Sequence, residues 1–245
     1  MGFNERIKEL VSEKNITDLK RDCTDKLKAK DYVSKFNLPL INIPKVIKVI
    51  GKKIELYGSD WTKYKFPLYI KCNHGWRYQI LCKNFLDLCN EHNISKMNNF
   101  IHCNFYKKHG EYQYSNIDKK IYLEEFIEID TLMQFYCFHG EPTFLENIKK
   151  AKDHYTSICC NEYNIKYEEF KFTKCIKNYN LTPKPDFYDE LVEDTKIISK
   201  DFDFVRVDYY VDVNGKVYFS ELTFSPGAGG IQFKDDMNEY FGKLL

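Results

Sequence analysis

The sequence predicts an α+β fold with largely antiparallel sheets, and three observations lead to this prediction. Strand-like and helical segments are mixed along the chain without a regular β–α–β alternation, which argues against a parallel sheet. An Asn-Gly pair at 214–215, the strongest short hairpin signal, separates two runs of alternating character. The 245 residues, of which 43% are hydrophobic and 30% charged, suffice for one large domain or two small lobes.

Charge and cysteine usage exclude several classes of protein. The net charge of +1 provides no general field for nucleic acid or an anionic membrane. The nine cysteines contain no C-x-x-C pair, so we expect neither a zinc site nor a redox motif, and free thiols fit the cytoplasm. No apolar run approaches the roughly 20 residues of a membrane span. The charged start "MGFNER" matches neither a signal peptide nor a myristoylation site.

The first half of the chain predicts two helices followed by strands. Apolar spacing indicates a helix over 3–20 and a second one over about 25–36. "LPLINIPKVIKVI" indicates a turn and a strand, punctuated by Pro39 and Pro44. A short buried strand from Leu68 to Ile70 then runs into a loop at 73–75.

From residue 84 onward, the sequence predicts a helix, a strand, and two hairpins with a second helix between them. "NFLDLCNEH" is helical in character, and 119–128 is a strand. "TLMQFYCFHGEPTFLENI" predicts a hairpin that turns at residues 139–142. A helix is predicted to begin at Pro185 and Asp186, directly before the Asn-Gly hairpin.

The register of that last hairpin follows from its turn. With Asn214 and Gly215 as the central residues of a type I′ turn, Asp208 lies opposite Glu221. By the same register, Arg206 lies opposite Thr223 and Tyr210 opposite Phe219. Alternation then places on one face the residues Arg206, Asp208, Glu221 and Thr223.

Two opposed carboxylates need a compensating partner, because directly opposed like charges are destabilising. A shared proton is one solution, and a divalent metal is the other. Mg²⁺ suits the second, since it takes one or two carboxylates plus substrate phosphates, and Arg206 is placed to bind a phosphoryl group. The alternative is a solvent-exposed strand face on which Arg206 neutralises both acids.

Four segments in order carry a resemblance to a known family. "VRVDYY…NGKVYFSELTFSPGAGG" resembles the closing motif of the ATP-grasp superfamily, specifically the TupA-like family linked to surface-polysaccharide and teichuronopeptide synthesis. "FPLYIKCNHGW" resembles its phosphate-binding strand and loop, "IYLEEFI" its adenine hinge, and "FYCFHGEPTFL" its central strand pair. "TDKLKAKDYV" resembles the family's early D-K helix, so the match spans about 24–243.

The resemblance implies one two-lobed ATP-grasp domain over 1–245, with ATP between antiparallel sheets. The N-terminal lobe would cover about 20–123 and the C-terminal lobe about 124–245. Lys71 would reach the α- and β-phosphates, although a lysine at a strand end with its ammonium in water is the simpler interpretation of that residue alone. The loop over the phosphates would consist of Asn73, His74 and Gly75.

The same resemblance implies the adenine, ribose and metal contacts. The hinge would consist of Glu124, Glu125, Phe126 and Ile127, with the Glu124 carboxylate and the backbone of Glu125 and Ile127 on the adenine; Asp130 would bind the ribose. Alternatively, the two glutamates simply form a charged strand edge. Asp208, Glu221 and Thr223 would hold Mg²⁺, and Arg206 would stabilise the transferred phosphoryl group.

Two departures from the family pattern concern ATP binding. The family's loop N-H-G-S-G-W is shortened to "NHGW", which leaves less backbone over the phosphates. The family's D-Y-K before the central strand pair reads "LMQ", so Gln134 replaces a lysine that would contact phosphate.

Three functions agree with these residues. The first is an ATP-dependent carboxylate–amine ligase that forms an amide through an acyl phosphate, acting on a small carboxylate and an amine. The resemblance suggests a sugar acid, such as a uronic acid, in capsule or cell-surface polysaccharide synthesis. The second is a kinase of a sugar or glycan hydroxyl, and the third is a non-catalytic binding subunit. The stretch 100–114, "FIHCNFYKKHGEYQY", is a candidate acceptor site.

Overall fold

Two β-sheets organise the protein, which the computed structural model describes over residues 1–55, 61–150, 157–174 and 181–245. The strands are β1 (Ile41–Asn42), β2 (Val46–Gly51), β3 (Leu68–Cys72), β4 (Gln79–Cys82), β5 (Ile121–Glu125), β6 (Ile129–Phe138), β7 (Glu141–Lys150), β8 (Ser157–Asn164), β9 (Phe204–Asp212) and β10 (Val217–Thr223). The helices are α1 (Phe3–Leu10), α2 (Asp18–Thr24), α3 (Lys26–Ser34), α4 (Phe85–Cys89), α5 (Glu91–Phe100), α6 (Phe105–His109), α7 (Tyr188–Ser199) and α8 (Met237–Lys243). Short 3₁₀ turns span Tyr112–Tyr114 and Pro226–Gly229.

The larger sheet has the order β1-β10-β9-β6-β7-β8, and β1–β10 is its one parallel pair among the described strands. Alternate residues of the central strands, such as Phe135, Val207 and Tyr209, form the main hydrophobic core. Helices α3 and α7 cover that face. At the end near Phe138 and Phe204, aromatic side chains from α1 and α8 cover the other face.

The smaller sheet has the order β2-β5-β3-β4 and is antiparallel throughout. Its core contains Leu68, Ile70 and Leu123, which pack against α4 and α5. The alternate residues of β3 and β5 point to the opposite face of the sheet, away from α4 and α5. The chain passes from this sheet into the larger one just after Glu125, whereas residues 20–42 pack with the larger sheet.

The predicted helix over 3–20 is wrong as a single helix. Helix α1 ends at Leu10, and α2 begins after Thr17, whose hydroxyl accepts a hydrogen bond from the Lys20 N–H. Such a cap starts a new helix because it satisfies an N–H group that has no partner in the first turn. The other predicted helices are present: Asp25 caps α3, and α7 begins at Tyr188 rather than Pro185.

The predicted type I′ turn at Asn214-Gly215 is also wrong. Among these loop residues only Gly215 has a positive φ, of 80°, whereas a type I′ turn requires one at both central positions. The loop is one residue longer, because the Asp212 N–H donates to the Lys216 carbonyl and the Asp212 carboxylate accepts from the Asn214 and Lys216 N–H groups. Both positive φ angles occur instead at His139 and Gly140, between β6 and β7.

The pairing of Asp208 with Glu221 and of Arg206 with Thr223 is nevertheless confirmed. Tyr210 pairs with Tyr218, not with Phe219 as predicted, because of the longer loop. A β-bulge at Ser220 then inserts one residue into β10 and restores the predicted register beyond it. The bulge also explains why Phe219 faces the core while Glu221, two residues later, faces away from it.

No helix among the described residues is long and apolar enough to cross a membrane.

Candidate active site

The site is centred on the face of β9 and β10 that points away from the main core. Asp208 is 2% exposed, and Arg206 donates two hydrogen bonds to its carboxylate. The guanidinium Nε lies 2.8 Å from Oδ1 and Nη2 lies 2.7 Å from Oδ2. This bidentate pairing fixes the arginine in one orientation on a rigid strand.

Gln134 lies on the neighbouring strand β6, directly beside Asp208. Its Nε2 donates to Asp208 Oδ2 over 2.7 Å. An ionised carboxylate offers about four acceptor positions, so Arg206 and Gln134 together occupy three of them. The residue that departs from the family pattern therefore contacts a predicted metal ligand.

Glu221, opposite Asp208, pairs with a lysine from another element. Lys26, at the start of α3, lies 3.2 Å from Glu221 Oε2 and also donates to the Gly75 carbonyl over 2.9 Å. It therefore joins the strand that carries Glu221 to the predicted phosphate loop. The sequence places Lys26 in the early D-K helix but gives no indication of this partner.

Burial and neighbouring charges shift the pKa values of Asp208 and Glu221 in opposite directions. Burial raises the pKa of Asp208 to about 6, with Arg206 opposing the shift and Glu221 adding to it. Burial also works against ionisation of Glu221, but Lys26 and Arg206 outweigh it and lower the pKa of that group. An added cation between the two groups would hold both of them ionised.

The donor set fits Mg²⁺. Asp208 and Glu221 are directly opposed, and the Thr223 hydroxyl is on the same face one pair further along. These are hard oxygen ligands, and Mg²⁺ commonly takes one or two carboxylates and completes its shell with phosphate and water. The described residues contain no group of three or more His, Cys, Asp or Glu side chains that would enclose a metal by themselves.

A second charged cluster lies on the smaller sheet. The Lys71 ammonium bonds Glu124 Oε1, and Lys30 from α3 lies 3.0 Å from Oε2. All three side chains are buried, with Lys30 5% and Glu124 2% exposed. Although burial opposes it, the two lysines lower the pKa of Glu124, whereas burial lowers the pKa of Lys30. The cluster therefore holds two cations around one anion.

This lysine cluster faces the acids of the larger sheet. Lys71 contributes to lowering the pKa of Glu221 after the larger effects of burial, Lys26 and Arg206. Tyr69 and Lys71 alternate with the core residues Leu68 and Ile70, so the period of β3 points the ammonium toward the site. A strand-end lysine with its ammonium in water is thereby ruled out, since Lys71 is in the strand and buried.

The predicted phosphate loop has a rigid start. Asn73 is completely buried; its side chain donates to Asp25 Oδ2 over 2.7 Å and accepts from the Lys120 N–H over 2.7 Å. Gly75 has a φ of 76°, and a Cβ there would come within 2.6 Å of the Tyr78 ring. Burial, followed by Lys119 and Lys26, lowers the pKa of His74 to about 4, so its imidazole is neutral at pH 7.

The predicted hinge residues lie where the chain leaves the smaller sheet. The Glu124 carboxylate is occupied by two lysines, and the Glu125 N–H donates to the Lys45 carbonyl. A contact of adenine with Glu125 would therefore use its carbonyl. Phe126 stacks near Tyr69, and Ile127 is buried. Asp130 pairs with Lys149, whose ammonium lies 2.6 Å from Oδ2.

The structure thus brings several of the predicted site residues together and adds two lysines from α3 to them. Arg206, Asp208, Glu221 and Thr223 share one face, and Lys71 approaches them from the other sheet. Sequence reasoning missed Lys26 and Lys30 as site residues. Their spacing of four residues within one helix was an available signal, since it places both side chains on the same face.

The family described as TupA-like ATPgrasp matches residues 5–245. No curated protein sequence matches the chain significantly.

Three solved structures with similar folds are described as ligases. D-alanine–D-alanine ligase from Bacillus anthracis, in complex with ATP, has a TM-score of 0.52 at 17% identity, covering 82% of this chain and 55% of that one. The L-amino acid ligase from Bacillus licheniformis has a TM-score of 0.56 at 13% identity, with 85% and 44% covered. D-alanine–D-alanine ligase from Helicobacter pylori has a TM-score of 0.52 at 18% identity, with 91% and 57% covered. The chain therefore spans about half the length of these ligases.

Proposed function

This chain belongs to the TupA-like ATP-grasp family and has the predicted ATP-grasp fold, and from this premise we propose that it is an ADP-forming carboxylate–amine ligase. The observation that carries the proposal is the opposed pair Asp208 and Glu221, with Arg206 on the same face and the Lys71 cluster on the other sheet. Such an arrangement of rigid charges suits phosphoryl transfer, in which positioning and charge neutralisation supply most of the catalysis.

Each charged group has a role in binding ATP as a substrate. Lys71 binds the α- and β-phosphates, and Lys30 keeps the Glu124 carboxylate neutralised when Lys71 turns toward them. The loop of Asn73, His74 and Gly75 covers the phosphates, tied by Lys26 to Glu221. Glu125, Phe126 and Ile127 form the adenine hinge, and Asp130 binds the ribose after release from Lys149.

Asp208, Glu221 and Thr223 would hold a magnesium ion, which would supply charge neutralisation to the phosphates of ATP. The single free acceptor position on Asp208 suffices for one metal bond while Arg206 and Gln134 stay in place. No rearrangement of the strand pair is needed for this role.

The reaction begins with attack of a substrate carboxylate oxygen on the γ-phosphorus of ATP, which forms an acyl phosphate and releases ADP. Arg206 stabilises the negative charge on the transferred group. An uncharged amine then attacks the acyl carbon, the C–O bond to phosphate breaks, and the amine proton leaves to solvent. The products are an amide and inorganic phosphate.

For the substrate we propose a sugar acid, such as a uronic acid, of capsule or cell-surface polysaccharide. The support for this choice is the resemblance of four ordered segments to a family linked to surface polysaccharides. We also propose a cytoplasmic location, because ATP is supplied there.

The test is an ADP-release assay across a matrix of carboxylic acids, including glucuronic and galacturonic acid, and amines. The ligase predicts ADP release that requires an acid, and amide formation that requires both substrates. ADP release with a neutral sugar alone, together with a stable phosphate ester, would instead identify a kinase. If millimolar Mg-ATP causes no thermal shift, the protein is a non-catalytic member of the family. The shortened loop and Gln134 would then explain why it does not bind ATP.

A further inference from the structure

A third cluster of buried polar groups lies just beyond the predicted metal ligands. Glu111, Gln113 and Ser225 come together from the segment after α6 and from the end of β10. The Ser225 hydroxyl donates to Glu111 Oε1, and Gln113 Nε2 donates to Ser225 Oγ over 2.5 Å. All three residues are buried, with Glu111 5% and Gln113 1% exposed.

The cluster lies beside the reaction centre. Ser225 is two residues beyond Thr223, which pairs with Arg206, and two residues of chain span at most about 7 Å. Tyr114 connects the two regions: after burial, the charges of Glu111 and Glu221 raise the pKa of its hydroxyl, and Arg206 opposes them. A group held by Glu111 would therefore lie about one side chain away from the phosphoryl group that Arg206 stabilises.

Two groups of the cluster lack a suitable partner among the described residues: the Glu111 carboxylate lacks a cation, and the Gln113 side-chain oxygen lacks a hydrogen-bond donor. Among the described residues, Glu111 has only neutral partners, Ser225 and Gln113, whereas Asp208, Glu221 and Glu124 each have a cation. Gln113 Oε1 accepts no hydrogen bond from any residue in the described part of the chain. A buried carboxylate and a buried amide oxygen both lose solvation, so each favours a partner that donates hydrogen bonds.

We propose that Glu111 and Gln113 form the subsite for the second substrate and that this substrate is a primary amine bound as its ammonium ion. The ammonium supplies the positive charge that Glu111 lacks and a donor for Gln113 Oε1, since it carries three N–H groups. Ser225, two residues beyond the strand that carries Glu221, orients the Glu111 carboxylate. This inference rests on the proposed ligase function. Before the attack, the bound ammonium transfers one proton to the Glu111 carboxylate, which leaves the uncharged amine that the acyl transfer requires and a neutral Glu111.

The test compares a charged with an uncharged nucleophile. Hydroxylamine is largely uncharged at neutral pH and traps acyl phosphates as hydroxamates, so it does not need a carboxylate for binding. Ethanolamine and the common amino acids serve as ammonium probes, with whichever acid gives hydroxamate in the wild-type protein. Glu111→Gln keeps the shape of the side chain and removes its charge, and Gln113→Met removes the unpaired oxygen.

We expect Glu111→Gln to raise the KM for the ammonium substrate at least tenfold while hydroxamate formation stays within twofold of wild type. Glu111→Asp, which keeps the charge, should recover part of the loss. Glu162→Gln is the matched control, because Glu162 is similarly buried but is hydrogen-bonded to the Phe172 and Thr173 N–H groups rather than to Ser225 and Gln113. Its KM for the amine should not change.

Three results decide the matter. If no acid gives hydroxamate with the wild-type protein, the ligase function fails, and the subsite fails with it. If hydroxamate forms but Glu111→Gln leaves the KM for every ammonium substrate unchanged, only the subsite is wrong. If Glu111→Gln and Gln113→Met lower the melting temperature and slow both reactions equally, the cluster is a structural link between the segment and β10, which also overturns the proposal.

Discussion

Asp208 and Glu221 lie directly opposite each other in β9 and β10, and Arg206 bonds both oxygens of the first while Lys26 pairs with the second. Each carboxylate thus has its own cation although the two acids are neighbours. This separation keeps both acids on one face without the full cost of like-charge repulsion.

Removing either charge is expected to abolish most of the activity. Asp208→Asn and Glu221→Gln should each lower ADP release by about 10²–10³-fold, because a preorganised charge at the transferred phosphoryl group is lost. Asp212→Asn is a control on the same strand, since the Asp212 carboxylate accepts hydrogen bonds from the Asn214 and Lys216 N–H groups of the loop. An Asp212→Asn variant as inactive as Asp208→Asn would show that the loss comes from strand disruption.

Gln134→Lys should strengthen ATP binding. Gln134 lies beside Asp208, where the family pattern has a lysine, and an ammonium there adds positive charge near the phosphates. We expect the Kd for Mg-ATP to fall several-fold in calorimetry. Gln134→Met is the control, since it removes the bond to Asp208 without adding charge, and it should weaken binding. Tighter binding in both variants would argue against a charge effect.

Lys30 is expected to stabilise the fold through Glu124. Lys30→Met removes one of two cations from a buried carboxylate, and breaking a buried ion pair costs about 3–5 kcal/mol of the free energy of unfolding. In the double variant with Glu124→Gln the loss should be smaller than the sum of the two single losses, because the Lys30–Glu124 pair is then lost only once. Urea denaturation of Lys30→Met, Glu124→Gln and the double variant gives the coupling energy, and strictly additive losses would contradict an interaction between the two side chains.

Deletion of Ser220 should be tolerated. Phe219 pairs with Tyr209, and Glu221 pairs with Asp208, so removing the bulged residue leaves a regular ladder in which both side chains keep their faces. A ΔΔG of about 1 kcal/mol, or a melting temperature lower by about 2–4 °C, is expected from thermal unfolding.

Insertion of one alanine after Ser220 is the opposite change. A one-residue slip turns Glu221 onto the core face, so this variant should be insoluble or inactive. If the insertion is tolerated and the deletion is not, the bulge itself, rather than the face of Glu221, is what the strand requires.

His74 should make the protein acid-sensitive between pH 6.5 and about 4. Burial and the nearby lysines lower the pKa of His74 to about 4 in the folded protein, so the unfolded chain binds the proton first as pH falls. Its contribution to the free energy of unfolding is present above pH 6.5 and is lost toward pH 4, a change of about 3 kcal/mol.

His74→Gln should lack this part of the pH dependence. The measurement is urea denaturation at pH 7 and pH 4.5, with the change in the free energy of unfolding compared between wild type and variant. Equal changes in the two proteins would mean that other groups cause the acid sensitivity.

Much of the fold and part of the site could be predicted from local patterns. The period of two in β9 predicts which residues share a face, and this is why Arg206, Asp208 and Glu221 could be grouped from the sequence. The predicted pairing of Asp208 with Glu221 is confirmed, although two errors cancelled: the loop is one residue longer, and Ser220 adds a bulge. Turn types differ by little free energy, so a dipeptide signal does not decide between them.

By itself, then, the sequence determined the order of the elements, the faces of the strands and the family. Only the tertiary structure decided which charges meet: Lys26 with Glu221, Lys30 with Glu124, and Glu111 with Ser225. These residues are 195, 94 and 114 positions apart, by subtraction of their numbers, and no local period encodes such distances. Their pairing depends on how α3 and the segment before Tyr112 pack in the folded protein, where burial makes an unpaired charge costly and so selects the partners.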